Sequence, residues 1–254
     1  MKAKIVWLSA NILGYKLLKE AQKAAKDEIA AIITLKKEAK TKMYDGIDSE
    51  KWREFGIPVY EIERINNEAE LLKNLKPDFI ITAGWRQMIN EDILAIPLKG
   101  FVGFHPSFLP KGRGPAPIIN TILLGLEESG ITMFYLDKGT DSGDIIGQKK
   151  INVQKTDYAE DLYQKVIEGG GELIQKFLPL LIKNKAPRIP QDEKEATLFP
   201  KRSLVDNEID IEKDSLDEIA RKMKAFSKPY AGAYIKLGNK KIIIWRGETE
   251  EKFA

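Results

Sequence analysis

The sequence predicts an α/β protein built on a mostly parallel sheet, with a small α+β subdomain at its C-terminal end. Short apolar runs rich in β-branched residues alternate with stretches of helical period through the first two thirds of the chain, which is typical of βαβ units. This alternation stops at 183–202, where prolines interrupt the periodicity and charged residues dominate. We interpret that segment as a connector and divide the chain into residues 1–185 and 186–254.

Each predicted element rests on a local pattern. Short apolar runs predict buried strands at 5–8, 29–35, 58–60, 79–82, 101–104, 132–136 and 145–153. Helical periodicity predicts helices at 13–25, 68–75, 118–126 and 157–183, the last with Thr156 as its N-cap. In the C-terminal subdomain we expect a helix at 215–226 and two strands, 233–237 and 241–245, joined by a tight turn at Gly238 and Asn239.

Composition limits the classes of protein that this chain can be. With 254 residues, 43% of them hydrophobic, the chain can bury a real core, and without cysteine it has no disulfide or thiolate metal site. The net charge of +3 comes from 41 basic and 38 acidic residues scattered along the chain, which does not indicate a nucleic-acid surface. Because Ser9 and Asn11 interrupt the first apolar run, we expect a cytoplasmic protein with no membrane partner.

The most informative segment is FVGFHPSFLPKGRGPAPI, residues 101–118. It places His105, the only histidine, at the carboxyl end of a predicted parallel strand, where open α/β sheets bind ligands. A structural turn histidine is the alternative. Prolines fix the loop that follows, while Gly112 and Gly114 allow a ligand to approach closely. Lys111 and Arg113 suit an anionic substrate group, unless they are merely solvated.

A second segment, DKGTDSGDII, carries three carboxylates between two predicted strands: Asp137, Asp141 and Asp144. Three interpretations are open. The acids bind a divalent cation, although their spacing is not that of an EF-hand; they form a plain acidic turn; or one of them orients His105.

Two segments resemble the signature of the folate-dependent formyltransferases, which include methionyl-tRNA, glycinamide ribonucleotide and sugar-nucleotide formyltransferases. They are HPSFLPKGRGPAPI and GITMFYLDKGTDSGDII. In that family the catalytic Asp lies 36 residues after the catalytic His, and Asp141 has this spacing from His105 (141 − 105 = 36). The resemblance implies a Rossmann-like formyltransferase fold, His105 and Asp141 as the catalytic pair, 10-formyltetrahydrofolate as formyl donor, and no metal.

The resemblance also implies where folate binds. The segment GWRQMI, residues 84–89, precedes His105 by the interval at which the family's pterin-binding backbone lies. The implied folate-binding residues are Arg86, Gln87, Met88 and Ile89, together with Asp137 and Asp144.

The chain departs from the family pattern at Gly103, which stands where the family has an Asn that donates a hydrogen bond to the formyl oxygen. Losing one such donor typically costs about 2.7–4 kcal/mol of transition-state stabilisation. Three explanations are open. A backbone N–H, a water or a side chain such as Asn120 replaces the missing donor; the acceptor amine is reactive enough to need no such donor; or catalysis has been lost. We expect Gly103→Asn to be tolerated.

The acceptor amine is the least determined part of the function. The tail FPKRSLVDNEIDI resembles the sugar-nucleotide and methionyl-tRNA enzymes. We expect a small-molecule substrate such as a nucleotide-linked amino sugar, with Ser9, Lys111, Arg113 and Arg202 on the acceptor side. A tRNA partner is less expected, since the chain has no room for the full C-terminal barrel of the methionyl-tRNA enzymes. A formyltetrahydrofolate hydrolase and a non-catalytic folate- or nucleotide-sugar-binding protein are alternatives, and a homodimer is left open.

Overall fold

A seven-stranded sheet forms the centre of the protein in the computed structural model, which describes residues 3–41 and 43–250. Its strands are β1 (Ile5–Leu8), β2 (Ile29–Leu35), β3 (Val59–Ile62), β4 (Phe79–Ala83), β5 (Gly100–His105), β6 (Glu128–Tyr135) and β7 (Ile145–Asn152). The helices are α1 (Ile12–Ala25), α2 (Ala69–Leu75), α3 (Glu91–Leu94), α4 (Pro117–Leu123), α5 (Ala159–Ile182) and α6 (Leu216–Ala225). A separate hairpin consists of β8 (Ala233–Leu237) and β9 (Lys240–Ile244).

The strand order is β3-β2-β1-β4-β5-β6-β7. All pairs from β3 to β5 are parallel, whereas β6 and β7 are added antiparallel. The predicted Rossmann-like, mostly parallel sheet is therefore confirmed. Because β2 and β4 lie on opposite sides of β1, the chain leaves β1 and β4 in opposite directions, and this opens a crevice at their carboxyl ends.

Several predicted boundaries were wrong by a few residues. The long helix α5 begins at Ala159 and its N-cap is Tyr158, not Thr156. The backbone N–H of Tyr158 donates to Asp161 Oδ2 at 2.9 Å, so a carboxylate in the first turn satisfies the exposed end of the helix. β6 begins at Glu128, four residues before the predicted strand, because its antiparallel pairing with β7 extends to Asn152.

The two faces of the sheet carry separate cores. Trp7 and Val102 belong to a buried cluster that continues into α1 and α5. Val6, Ile80 and Phe101 belong to a second cluster, which continues into α2 and α3. Since side chains alternate between faces along a strand, the residues that follow Phe101 at every second position, Gly103 and His105, lie on the α2/α3 face.

The C-terminal subdomain has the predicted α+β composition. Met223 and Ala225 of α6 are buried, and α6 packs against α4. The hairpin turns at Gly238, whose φ of +61° suits glycine, as the predicted tight turn requires. Among the described residues, we find no helix with both the length and the apolarity needed to span a bilayer.

Candidate active site

His105 ends β5 at the edge of the crevice and is 7% exposed. Its Nε2 lies 2.8 Å from the carbonyl oxygen of Gly112, and because a carbonyl only accepts, Nε2 is the donor. Its Nδ1 lies 3.5 Å from Oδ2 of Asp141, at the outer limit of a hydrogen bond. The residues that the sequence spacing paired are therefore adjacent, in an arrangement that substrate binding can tighten.

The structure holds Asp141 from two sides. Its Oδ2 accepts a hydrogen bond from the backbone N–H of Gly114 at 2.8 Å. Its own carbonyl accepts from Nε2 of Gln191 at 2.8 Å, and the same amide donates to the carbonyl of Gly143. Asp141 has a φ of +51°, so these contacts stabilise a left-handed conformation that non-glycine residues rarely adopt.

The glycines of the loop after His105 do not make room for a ligand, contrary to our expectation. A Cβ at Gly112 would lie 2.3 Å from the ring of Phe199, and one at Gly114 would lie 2.9 Å from Leu198. Both glycines have positive φ, +72° and +92°. The two glycines therefore allow the loop to approach residues 197–199 of the connector. The connector forms hydrogen bonds with the loop through Thr197 and Phe199.

Arg113 is bound within the protein. Its guanidinium donates to Gln191 Oε1 at 2.8 and 3.0 Å and to the carboxylate of Glu193 at 2.6 and 2.9 Å. This hydrogen bonding to Glu193 raises the pKa of Arg113 and lowers that of Glu193, so both groups stay charged. The bidentate pair fixes the connector against the loop after His105.

The other residues expected on the acceptor side also have partners. Ser9 is fully buried and its hydroxyl donates to the carbonyl of Ala83 at 2.8 Å. Lys111 is exposed, with Nζ 3.5 Å from Oε2 of Glu195. Arg202 donates through Nε to Oδ1 of Asn120 at 2.7 Å.

Asn120 does not replace the missing donor at position 103. Its Nδ2 lies 3.0, 3.1 and 3.0 Å from the carbonyl oxygens of Pro115, Ala116 and Pro200. Since an amide nitrogen has only two hydrogens, this group is fully used in holding the start of α4 to the connector. The suggestion drawn from the sequence was wrong for that reason.

A side chain at position 103 has no free space. A Cβ on Gly103 would lie 2.4 Å from Cδ1 of Leu136 and 3.2 Å from Cε1 of Phe134. Leu136 thus lies over the glycine, and it is partly exposed. Our expectation that Gly103→Asn is tolerated requires Leu136 to move first.

The segment expected to bind folate follows β4 and lies at this crevice. Gln87 holds it in place, because its Oε1 accepts from the N–H of Ile65 while its Nε2 donates to Thr41 and Glu63. Met88 is 78% exposed, while Ile89 packs against the α2/α3-face core.

Asp137 and Asp144 differ in their contacts. Asp137 accepts from the N–H of Gly139 and from the hydroxyl of Ser142, as in an acidic turn. Asp144 lies 3.6 Å from Nη1 of Arg188. No cluster of three or more metal-ligating side chains occurs within residues 3–41 and 43–250.

A family profile described as formyl transferase matches residues 3–178, which include β1 to β7, His105 and Asp141. The chain belongs to the formyl transferase family. It is a formyl-transferring enzyme, and the family assignment made from the two motifs is confirmed.

Solved formyltransferases share its fold. The N-formyltransferase from Helicobacter canadensis, in complex with folinic acid and dTDP-3-aminofucose, has a TM-score of 0.75 at 23% identity, over 95% of this chain and 86% of that one. The 4-N formyltransferase from Francisella tularensis has a TM-score of 0.75 at 20% identity, over 97% and 98%. The methionyl-tRNA formyltransferase from Clostridium thermocellum has a TM-score of 0.67 at 22% identity, over 98% and 94%.

Sequence reasoning missed a buried carboxylate, Asp45, at the point where β1 and β4 diverge. Asp45 is 2% exposed; its Oδ2 accepts from Asn11 at 2.9 Å and from Tyr163 at 2.7 Å, and its Oδ1 pairs with Arg86 at 2.9 Å. Burial, and then the charge of Asp45, raise the pKa of Tyr163, so its phenol stays protonated and donates. Nothing in the charged stretch around residue 45 distinguishes this acid from its solvated neighbours.

Proposed function

We propose that this formyltransferase moves the formyl group of 10-formyltetrahydrofolate to the primary amine of a small molecule, of the nucleotide-linked amino sugar class. The observation that carries the proposal is the contact between His105 and Asp141 at the carboxyl end of β5. The Helicobacter canadensis neighbour, solved with folinic acid and a dTDP-linked amino sugar, supports both the donor and the acceptor class.

In the proposed reaction the amine nitrogen attacks the formyl carbon, and the carbonyl oxygen becomes an oxyanion. The bond from carbon to N10 then breaks, so that a formamide and tetrahydrofolate are released. His105 accepts the proton that the amine loses and delivers it to the departing N10. Because Nε2 already donates to Gly112, the proton enters and leaves at Nδ1, and Asp141 beside this nitrogen orients the ring and stabilises its charged form.

We place the folate donor against the loop that follows β4. The proposed contacts are those of Arg86, Gln87, Met88, Ile89, Asp137 and Asp144. The large exposed fraction of Met88 supports an apolar contact there. Gln87 acts by holding the loop, because both ends of its amide are already hydrogen-bonded to the protein.

A cavity of about 170 Å³ supports an acceptor with an anionic group. It lies at the carboxyl ends of β1 and β2, and Lys36, Lys37, Thr41 and Ser49 line it among other residues. With neighbouring strands about 4.8 Å apart, its centre is roughly 12 Å from His105 across the sheet. An acceptor that bridges the two points carries its amine at one end and its negative charge at the other.

Methionyl-tRNA is the second candidate acceptor, since the chain spans nearly all of the Clostridium thermocellum methionyl-tRNA formyltransferase. The test is to incubate the protein with 10-formyltetrahydrofolate and, separately, a dTDP-linked amino sugar, methionyl-tRNA or no acceptor. Mass spectrometry then detects formylated product and an enzymatic assay detects formate. We expect formylated sugar; formyl-methionyl-tRNA alone would select the second candidate, and formate without acceptor would identify a hydrolase.

A further inference from the structure

One row of residues crosses the sheet immediately behind His105. In it, Gly103 of β5 pairs with Thr82 of β4 on one side and with Phe134 of β6 on the other. Ile80 and Phe101 both belong to the α2/α3-face core, and side chains alternate along each strand. Thr82, Gly103 and His105 therefore lie on the same face, and Thr82 is the cross-strand neighbour of the position that lacks a side chain.

The hydroxyl of Thr82 is buried without a protein partner. Thr82 is 6% exposed, and its Oγ1 has no hydrogen-bond partner among the described residues. Thr132, the neighbour of His105 on β6, is a contrast, since its hydroxyl donates to Ser107 and accepts from Leu109 and Gln148. Native proteins rarely leave such a group unpaired, and where they do, a functional role is a common reason.

Leu136 covers the Gly103 side of this row. Its Cδ1 occupies the space where a Cβ at Gly103 would lie, and the side chain is partly exposed. Rotation of Leu136 toward solvent opens the space above Gly103 to a group as small as a formyl oxygen. Thr82, one strand spacing away on the same face, is then the side-chain donor next to that space.

We infer that the Thr82 hydroxyl donates a hydrogen bond to the formyl oxygen as it becomes an oxyanion, in the place of the amide that Gly103 lacks. The inference rests on the proposed formyl transfer from folate to an amine. The hydroxyl keeps its proton throughout, since the proton lost by the amine moves through His105. Thr82 is thus a catalytic residue that stabilises the negative charge of the oxyanion and does not transfer a proton.

The test compares Thr82→Val with Thr34→Val. Thr34 on β2 is also fully buried with no protein partner for its Oγ1, but it lies on the opposite face of the sheet, beside Ile32 of the α1/α5-face core. Both substitutions remove an unpaired hydroxyl while conserving shape. We expect Thr82→Val to lower kcat about 100-fold with little change in the KM for folate. Thr34→Val should leave kcat unchanged, and neither variant should melt at a lower temperature.

Thr82→Ser provides the second variant, because it keeps the hydroxyl and should retain kcat within about threefold. Equal kcat for wild type, Thr82→Val and Thr34→Val overturns the inference while leaving formyl transfer established. If Thr82→Val does not fold, Thr82→Ser decides the test: a Thr82→Ser protein that folds but is inactive also overturns the inference. A wild-type protein that transfers no formyl group to any amine contradicts the proposed function, and the inference falls with it.

Discussion

At the scale of single residues, the proposed reaction depends on how the buried His105 and the partly exposed Asp141 are held. His105 is fixed through Nε2 by Gly112 and faces Asp141 through Nδ1. Because Nε2 donates to Gly112, Nδ1 beside Asp141 is the nitrogen through which the neutral ring can exchange a proton with a substrate.

Replacing His105 by Ala should abolish formyl transfer, since it removes the side chain that carries the proton from the amine to N10, while Asp141→Asn should reduce kcat at least about 100-fold by disturbing the ring orientation. The measurement is single-turnover product formation by mass spectrometry. Circular dichroism of both variants should match the wild type. Unchanged turnover in either folded variant would contradict the assigned roles.

Leu136 occupies the space that a side chain at position 103 would need, so substitutions at the two positions should have non-additive effects on stability. Gly103→Asn should destabilise the protein by about 1–3 kcal/mol, because its Cβ enters the space of Leu136 Cδ1. The same substitution in a Leu136→Ala background should cost less than in the wild type. Urea unfolding of the four proteins measures the coupling; strictly additive changes would show that Leu136 is not the obstacle.

At the scale of elements, the connector acts as part of the site. Its residues form no helix between α5 and residue 203, yet they hydrogen-bond to the loop after His105 and to the loop that carries Asp141. Gln191 joins three segments by accepting from Arg113 and donating to the carbonyls of Asp141 and Gly143. The charged, proline-rich sequence of the connector does not indicate that it holds the loops of the site.

Gln191→Ala should lower kcat roughly 10- to 100-fold with KM for both substrates unchanged, because it displaces Asp141 without contacting substrate. Gln175→Ala is the matched control, since Gln175 on α5 donates to the carbonyl of Glu20 at 2.9 Å far from the site. The readout is steady-state kinetics, in which a rise in KM with kcat intact would argue against a positioning role.

At the scale of the whole molecule, the order of the strands determines where the proposed substrate sites lie. The crevice opens between β1 and β4, His105 lies one strand further along at β5, and the cavity beside Lys36 lies on the other side at β2. The parallel arrangement brings all of these carboxyl ends to a single edge.

The cavity leads to a prediction about the acceptor. Combined Lys36→Ala and Lys37→Ala substitutions should raise the KM for a phosphate-bearing acceptor about tenfold, since charge-assisted contacts to phosphate would be lost. The KM for the folate donor should not change, and Lys240→Ala on the distant hairpin serves as control. Equal increases for both substrates would mean that the lysines do not contact the acceptor.

The sequence by itself determined the parallel sheet and the position of His105 at a strand end, because these depend on short patterns. Its pairing with Asp141 followed from the resemblance to the formyltransferase motifs. Only the tertiary structure decided that Asn120 is committed to backbone carbonyls, that Leu136 covers Gly103, and that Thr82 and Gln191 lie at the site. Those contacts join residues that lie far apart along the chain. Each depends on which strands become neighbours and on where a loop turns, and no local periodicity encodes either.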